Sequence, residues 1–133
     1  MKYILDTDIC IYWLKGRQSV KEKMLTIDAS EIVISVITVA ELYFGAYNSS
    51  KINQNIAIAE KFIQSLSIIG LSNDSLRKFG EIKADLRQRG TPVADFDLLI
   101  ASIALTEDLI LVSNNTRHYS RINNLKLENW FSQ

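Results

Sequence analysis

The sequence predicts an α/β fold: a three-layer α/β/α sandwich around a central, mostly parallel sheet. Several short runs are apolar at every position, and segments with helical spacing of apolar residues separate them. Uninterrupted apolar strands that alternate with helices are typical of a parallel sheet covered on both faces. The chain has 133 residues, of which 47% are apolar and 23% charged, so residues 1–133 are expected to form a single domain with one sizeable core.

The first half of the chain predicts two strands and four helices. Only Thr7 separates the first strand, which ends at Asp6, from the first helix, and Gly16 is expected to end that helix. The predicted elements are a strand Tyr3–Asp6, helices Asp8–Lys15 and Ser19–Thr26, a strand Ile32–Ser35, a helix beginning at Thr38, and a helix Ile52–Leu66.

The second half continues the alternation of strands and helices. Asn73 or Asp74 is expected to cap a long helix that ends at Gly90. The predicted elements are a strand in "SIIGL", a helix up to Arg89, a helix in "DFDLLIASIALTED", a strand in "LILVS" and a last strand in "LKLEN".

The bulk composition restricts the class of protein. Lys plus Arg and Asp plus Glu both number 15, so any contact with nucleic acid must use a local patch of cations. The single cysteine, Cys10, excludes an internal disulfide and Cys-rich zinc sites. Asp6 and Asp8 interrupt what would be the apolar part of a signal peptide, and no apolar run is long enough for a membrane span. We expect a cytoplasmic protein without membrane association.

Acidic and polar residues occur where the predicted strands end and helices begin. In parallel sheets these positions meet at one edge, where ligands bind. Clustered carboxylates repel one another and raise each other's pKa unless a cation lies between them, and Mg²⁺ or Mn²⁺ is the ion that prefers such ligands. The residues concerned are Asp6, Glu41 (expected in the first turn of its helix), Asp95, Asp97, Ser113 and Asn115.

Each acid also has a purely structural interpretation. Glu41 completes a capping-box pattern with Thr38, and Asp95 suits an N-cap. Asp97 suits the first turn of a helix, and Asp6 or Asp8 suits the cap of the first helix. Asp6 is the hardest to explain in this way, because it extends a strand that is expected to be buried on both faces.

Four segments resemble the PIN-domain ribonucleases and, among them, the VapC toxins of bacterial toxin–antitoxin pairs. They are "ILDTDICIYWLKG", "ISVITVAELYFGA", "IKADLRQRGTPVADFDLLIASIAL" and "LVSNNTRHYSRINNLKLENW". The resemblance covers nearly the whole chain. It implies a PIN-like fold, an endoribonuclease dependent on Mg²⁺ or Mn²⁺, a homodimer, and a VapB-like antitoxin as partner. It implies that Asp6, Glu41 and Asp97 are catalytic and metal-binding acids.

The chain departs from the family at the fourth acid. Relatives often have an acid at the position of Asn115 or of His118, and this chain has neither. Asp95 is therefore a further candidate ligand. Ser113 and Asn115 are expected to donate hydrogen bonds to Asp6 or to a phosphate, and His118 is expected to bind phosphate or to pack near Tyr119.

Three cations are candidates for binding the RNA backbone: Lys83, Arg87 and Arg117. Lys83 and Arg87 are four residues apart on one helix face. A solvated helix face, with an ion pair between Asp85 and Arg89, is an equally good interpretation of this segment.

The predicted first helix is apolar on every side, so it is either buried or covered by a partner. We expect an antitoxin to contact the surface near Ile11, Tyr12 and Tyr43. Parts of the sequence also suit two other functions. "LDTD" resembles the DxD motif of phosphatases with Asp6 as nucleophile, but Ile9 and Cys10 stand where that motif has Gly-Thr. The missing fourth acid also suits a catalytically weak PIN-like domain that binds RNA or a partner.

Overall fold

The computed structural model describes residues 1–132 and contains one sheet of five parallel strands. The strand order is β3-β2-β1-β4-β5, so β1 is central and the chain changes direction across the sheet between β1 and β4. The predicted, mostly parallel sandwich is confirmed. The strands are β1 (Tyr3–Leu5), β2 (Ile32–Ser35), β3 (Ser67–Ile69), β4 (Ile110–Val112) and β5 (Leu127–Glu128).

Helices cover both faces of the sheet. Residues of α1 to α4 contribute to the core on one face, and residues of α5 to α7 contribute to the core on the other. The helices are α1 (Thr7–Leu14), α2 (Gln18–Leu25), α3 (Val36–Tyr47), α4 (Ile52–Gln64), α5 (Asn73–Arg89), α6 (Asp95–Thr106) and the short α7 (Thr116–Tyr119), with a 3₁₀ turn at Ala29–Glu31.

The alternation of side chains along β1 explains the two cores. Tyr3 and Leu5 pack in the core beside α1 to α4, whereas Ile4 packs in the core beside α5 to α7. Both faces are covered at the central strands β1, β2 and β4, which are largely buried and apolar as the sequence indicated, whereas the edge strands β3 and β5 are partly exposed. None of the helices within residues 1–132 combines the length and the apolar character that a membrane span requires.

The predicted start of α3 was wrong. Ser35 caps the helix, with its hydroxyl accepting from the Thr38 N–H at 3.1 Å, so α3 begins at Val36 rather than at Thr38. The capping box between Thr38 and Glu41 is therefore not formed, and Glu41 lies in the second turn. Its carboxylate is free for another role.

Two further caps differ from the prediction. Ser72, rather than Asn73 or Asp74, caps α5 and forms a capping box with Ser75. The N-cap of α6 is Ala94, so Asp95 is the first helical residue and does not cap. Gly90 ends α5 with a φ of 70°, a left-handed conformation that glycine adopts without strain, as its position in the sequence indicated.

Candidate active site

Asp6 lies at the carboxyl end of β1 and caps α1. Its Oδ1 accepts from the Thr7 N–H at 2.9 Å, and its Oδ2 accepts from the Ser113 hydroxyl at 2.8 Å. The pairing of Leu5 with Val112 in the parallel register places Asp6 beside Ser113. Only 5% of Asp6 is exposed, and this burial raises the pKa of its carboxyl, although the two hydrogen bonds counteract part of the rise.

Asp8 lies two residues further, in the first turn of α1. Its Oδ2 accepts from the Asn114 N–H at 3.0 Å, and Ser113 Oγ is 3.4 Å away. Burial and the neighbouring Asp6 raise the pKa of Asp8 to about 6. Asp8 thus links the loop after β4 to the start of α1. Its carboxylate lies next to that of Asp6 and belongs to the same cluster of acids.

Glu41 reaches the same edge of the sheet from α3. Its Oε1 accepts a 2.6 Å hydrogen bond from the Thr7 hydroxyl, and Thr7 Oγ1 is also 3.1 Å from Thr38 Oγ1. Because Thr7 directly follows Asp6 in the chain, this bond fixes the position of the Glu41 carboxylate relative to Asp6.

Asp97 comes from the first turn of α6 and is half-buried. The pKa of Asp97 is raised by burial first and then by the charges of Asp6 and Glu41, which indicates that both acids lie close enough to act on the Asp97 carboxyl. The amide nitrogen of Asn115 is 3.5 Å from Asp97 Oδ2, and the nearby His118 lowers the pKa of Asp97.

Tyr119 lies beneath this cluster and is fully buried. Its hydroxyl has no hydrogen-bond partner of acceptable geometry in the described part of the chain. It is nevertheless close enough to lower the pKa of both Asp6 and Asp97, while burial raises the pKa of the phenol itself. Tyr119 thus places a buried hydroxyl beside Asp6 and Asp97, and no motif in the sequence marks it.

The chemistry of the donor set fits a hard divalent cation. The groups are carboxylate oxygens, and their repulsion is the kind that Mg²⁺ or Mn²⁺ relieves. Within residues 1–132, no three Asp, Glu, His or Cys side chains are already grouped as ligands of a metal ion. Because Mg²⁺ keeps several of its waters, a site with few direct protein ligands is compatible with this open arrangement.

Asp95 lies apart from the cluster. Its carboxylate forms an ion pair with Lys83 at 2.9 Å, and both side chains are more than half exposed. No hydrogen bond recorded for the described residues joins Asp95 to Asp6 or Asp97. Lys83 is thus already neutralised on the protein surface.

The other predicted RNA-binding side chains lie on α7 and α5. Arg117 and His118 are exposed on α7, directly after Asn115. Arg87 is exposed on α5 and borders an apolar pocket of about 270 Å³ that Lys83 also borders. The alternative ion pair between Asp85 and Arg89 is present at 2.8 Å, so part of this helix face is an ordinary solvated surface.

An apolar groove begins beside the carboxylates. It lies between α1, α3 and α4, has a volume of about 310 Å³, and has Glu41 in its wall. Tyr12 and Tyr43 lie outside it: Tyr12 stacks on Phe131 at 4.0 Å, and Tyr43 packs against the core. We call this feature the groove. Its lining residues are Ile11, Leu14, Lys15, Glu41, Leu42, Gly45, Ala46, Asn55, Ile58 and Ala59.

Three side chains of the site were missed as functional residues by sequence reasoning. Thr7 and Tyr119 have no motif of their own, and only the fold places their hydroxyls next to the acids. Asp8 was considered only as a cap, yet its spacing of two residues from Asp6 at the end of a strand was a signal that could have placed it in the site.

Comparison with known proteins agrees with this geometry. The profile of the PIN domain family matches residues 3–125. Ribonuclease VapC2 of Haemophilus influenzae is 42% identical over 130 residues, and tRNA(fMet)-specific endonuclease VapC of Shigella flexneri is 33% identical over 130 residues; both alignments cover 98% of this chain and 98% of the relative.

Solved structures give the same result. VapBC2 from Rickettsia felis, bound to a promoter DNA fragment, superimposes with a TM-score of 0.91 at 39% identity, covering 98% of this chain and 100% of the other. DNA-bound VapBC from Salmonella typhimurium gives a TM-score of 0.93 at 34% identity, covering 98% and 99%. The chain belongs to the PIN domain family and, within it, to the VapC ribonucleases of toxin–antitoxin pairs.

Proposed function

We propose that this chain is the toxin of a type II toxin–antitoxin system and acts as a metal-dependent endoribonuclease that hydrolyses RNA phosphodiester bonds. The observation that carries the proposal is the meeting of Asp6, Glu41 and Asp97, from three distant parts of the chain, at one edge of the sheet. Family membership gives this cluster its chemistry. The DxD phosphatase alternative is abandoned, because the chain belongs to the PIN domain family.

In this proposal Asp6 and Asp97 hold Mg²⁺ or Mn²⁺, and Glu41 either helps to hold the ion or orients the attacking water. When bound, the cation would polarise a phosphate oxygen and lower the pKa of a coordinated water. Ser113 keeps the Asp6 carboxylate in one orientation through its 2.8 Å bond, and Thr7 does the same for Glu41 through its 2.6 Å bond. Such preorganisation reduces the cost of reaching the productive geometry.

The RNA backbone would approach from the side of α7 and the start of α6. Arg117 and His118 are exposed next to Asn115, whose amide would donate to a phosphate or to Asp97. Arg87 would contact a phosphate further along the strand, and Lys83 would have to exchange its Asp95 partner for one. Since the net charge is zero, we expect these few cations to supply the electrostatic attraction for RNA.

We further propose that a VapB-like antitoxin occupies the groove. The similar structures named above are VapBC complexes, and the groove exposes Ile11, Leu14 and Ile58 to an extent of 38 to 43%. An amphipathic segment that lays apolar side chains there would end beside Glu41, where a basic side chain could enter the carboxylate cluster.

A homodimer and a cytoplasmic site of action complete the proposal. Phe44 and Tyr47 on α3 are 68% and 65% exposed, which is apolar surface that a second copy would cover. Light scattering of the purified chain tests the oligomeric state.

The test of the activity is cleavage of RNA by the purified chain with Mg²⁺, with Mn²⁺ and with EDTA. We expect cleavage with either ion and none with EDTA. In parallel, bacteria that express the wild type should stop growing and lose intact RNA, whereas Asp97→Asn should be harmless. Full cleavage in EDTA, or a harmless wild type, would contradict the proposal.

The second candidate is a PIN-like domain that binds RNA or a partner without cutting. It is favoured by Asn115 and His118 standing where relatives often have an acid, and by the open arrangement of the carboxylates. The same assay decides: this candidate predicts RNA binding by the purified chain with no metal-dependent cleavage.

A further inference from the structure

Residues 129–132, which follow β5, lie across α1 and α2, and we call them the strap. Trp130 is buried and packs edge-on against Tyr3 at 5.1 Å, and Phe131 stacks on Tyr12 with its ring centroid at 4.0 Å. The N–H of Ser132 donates to Ser19 Oγ on α2 at 2.9 Å. The strap is therefore held at several points along its length.

The strap is also joined to the loop that follows β4. Asn129 Nδ2 donates to Asn114 Oδ1 at 2.9 Å, and Asn114 Nδ2 donates to the Tyr12 hydroxyl at 3.3 Å. The orientation of the Asn129 amide is determined by the structure, because the Phe131 N–H donates to its Oδ1 at 2.9 Å and a backbone N–H cannot accept. Tyr12, Asn114 and Asn129 thus form one connected network.

Asn114 passes this connection to the carboxylates. Its backbone N–H is the donor to Asp8 Oδ2 at 3.0 Å. The residue before it, Ser113, holds Asp6 at 2.8 Å, and the N–H of Asn115 fixes the Ser113 hydroxyl at 2.9 Å. The loop 113–115 is consequently attached to the acids on one side and to the strap on the other.

We propose that the strap is a positioning element of the carboxylate site, with Asn129 as the positioning residue that acts through Asn114. Asn114 and Asn129 are both exposed, so their bond contributes little to global stability. Its effect is local: it limits the motion of a loop that has to present Ser113 and the Asn114 N–H to the acids in one arrangement. The effect on cleavage rests on the proposed function, whereas the effect on the loop does not.

The test compares Asn129→Ala with Asn129→Asp and with a matched control, Asn123→Ala. The alanine variant removes both side-chain bonds of Asn129. In the aspartate variant the carboxylate still accepts from the Phe131 N–H, and a flip of the Asn114 amide lets Nδ2 donate to that carboxylate while Oδ1 accepts from Tyr12. Asn123 is an exposed asparagine that lines a pocket beside α5.

The first readout is amide hydrogen exchange in the metal-free protein. We expect protection of the Asn114 N–H to fall about fivefold in Asn129→Ala, as for the loss of one hydrogen bond. It should stay near the wild-type value in Asn129→Asp and Asn123→Ala. The Ile110 N–H, which donates to Lys2 in the sheet at 2.9 Å, should be unchanged in all variants. Unchanged Asn114 protection in the alanine variant, or an equal fall at Ile110, would overturn the proposal.

The second readout is the kinetics of RNA cleavage. Loss of positioning predicts that kcat of Asn129→Ala falls about three- to tenfold with KM unchanged, and that Asn129→Asp restores most of it. A rise in KM alone, or no rescue, would contradict a positioning role. If the wild type cleaves no RNA, the proposed function fails, and hydrogen exchange alone decides whether the strap orders the loop.

Discussion

The two ends of α1 differ in how far contacts within the chain satisfy their side chains. At its start, the oxygens of Asp6 and Asp8 accept hydrogen bonds from Thr7, Ile9, Ser113 and Asn114. At its end, Ile11 and Leu14 remain 38% and 40% exposed in the groove. The chain alone positions the side chains of the polar end, whereas it leaves those of the apolar end partly exposed. Glu41 belongs to both regions, because it contacts Thr7 and lines the groove.

The carboxylates of Asp6, Glu41 and Asp97 are called the polar region here, and the substitution expected to disturb its function most is Asp97→Asn. Replacing a carboxylate that is proposed to bind the metal should lower the rate of RNA cleavage by more than about 100-fold, since even the loss of a supporting group around a metal site costs about 10- to 100-fold. The control is Asp108→Asn, which removes an exposed acid that pairs with Lys126 and has no role in the proposed site, so it should change the rate by less than about twofold. Equal losses in both variants would mean that Asp97 has no special role.

The apolar region is tested by Ile58→Asp, which places a charge in the groove. Binding of the antitoxin should weaken by about 30-fold, the effect of losing a contact worth about 2 kcal/mol, while RNA cleavage is kept. Ile52→Asp is the control, because Ile52 is equally exposed on α4 but does not line the groove. Isothermal titration with the antitoxin measures both. If cleavage falls together with binding, the residue supports the fold rather than the interface.

The fold could be predicted from the sequence because the central strands β1, β2 and β4 are short, buried apolar runs and the segments between them read as helices. What could not be predicted were boundaries that depend on competing caps. Thr38 and Ser35 are both good N-caps, and only the structure shows that the Ser35 hydroxyl reaches the Thr38 N–H. The error at α3 also hid the role of Glu41, since a capping box would have occupied its carboxylate.

The candidate site could be predicted in part. Acids that follow a strand or open a helix are noticeable in a sequence, so Asp6, Glu41 and Asp97 are predicted as candidates from the sequence and from the resemblance to the PIN-domain ribonucleases. The pairing of Asp95 with Lys83 and the approach of Thr7 to Glu41 depend on side chains that meet only in the folded chain. Likewise, an apolar helix gives no indication of which of its residues face the groove, and Tyr12 proved to be covered by Phe131.

A smaller effect should appear in the stability of the metal-free polar region. The pKa of Asp97 is raised by burial and by the charges of Asp6 and Glu41, so at neutral pH its ionised form costs free energy of folding. In EDTA, Asp97→Asn should therefore melt about 2–4 °C above the wild type. Added Mg²⁺ should raise the melting temperature of the wild type more than that of the variant, since only the intact site binds the ion tightly. If Mg²⁺ raises the melting temperatures of the wild type and of Asp97→Asn equally, the ion does not bind at Asp97.

The smallest effect concerns the pH dependence contributed by Asp8, measured in EDTA. The folded-state pKa of Asp8 is about 6, above the ordinary value of 3.8, so the native state binds this proton more tightly than the unfolded chain does. Below pH 3.8 both states are protonated and Asp8 contributes nothing to the pH dependence. Between pH 3.8 and 6 the unfolded chain loses its proton first, and the free energy of unfolding falls as the pH rises.

Asp8→Asn should remove this slope, because the amide still accepts from the Asn114 N–H but does not titrate. The melting temperature of the variant relative to the wild type should rise by about 2–3 °C between pH 4 and pH 7 and then stay constant, a value reduced for the partial exposure of Asp8. Ile58→Asn, in the groove, should show no such change with pH, because the residue it replaces carries no titratable group. A constant difference between Asp8→Asn and the wild type from pH 4 to pH 7 would show that Asp8 titrates like an exposed acid. In that case, of these three acids, only Asp6 and Asp97 have raised pKa values.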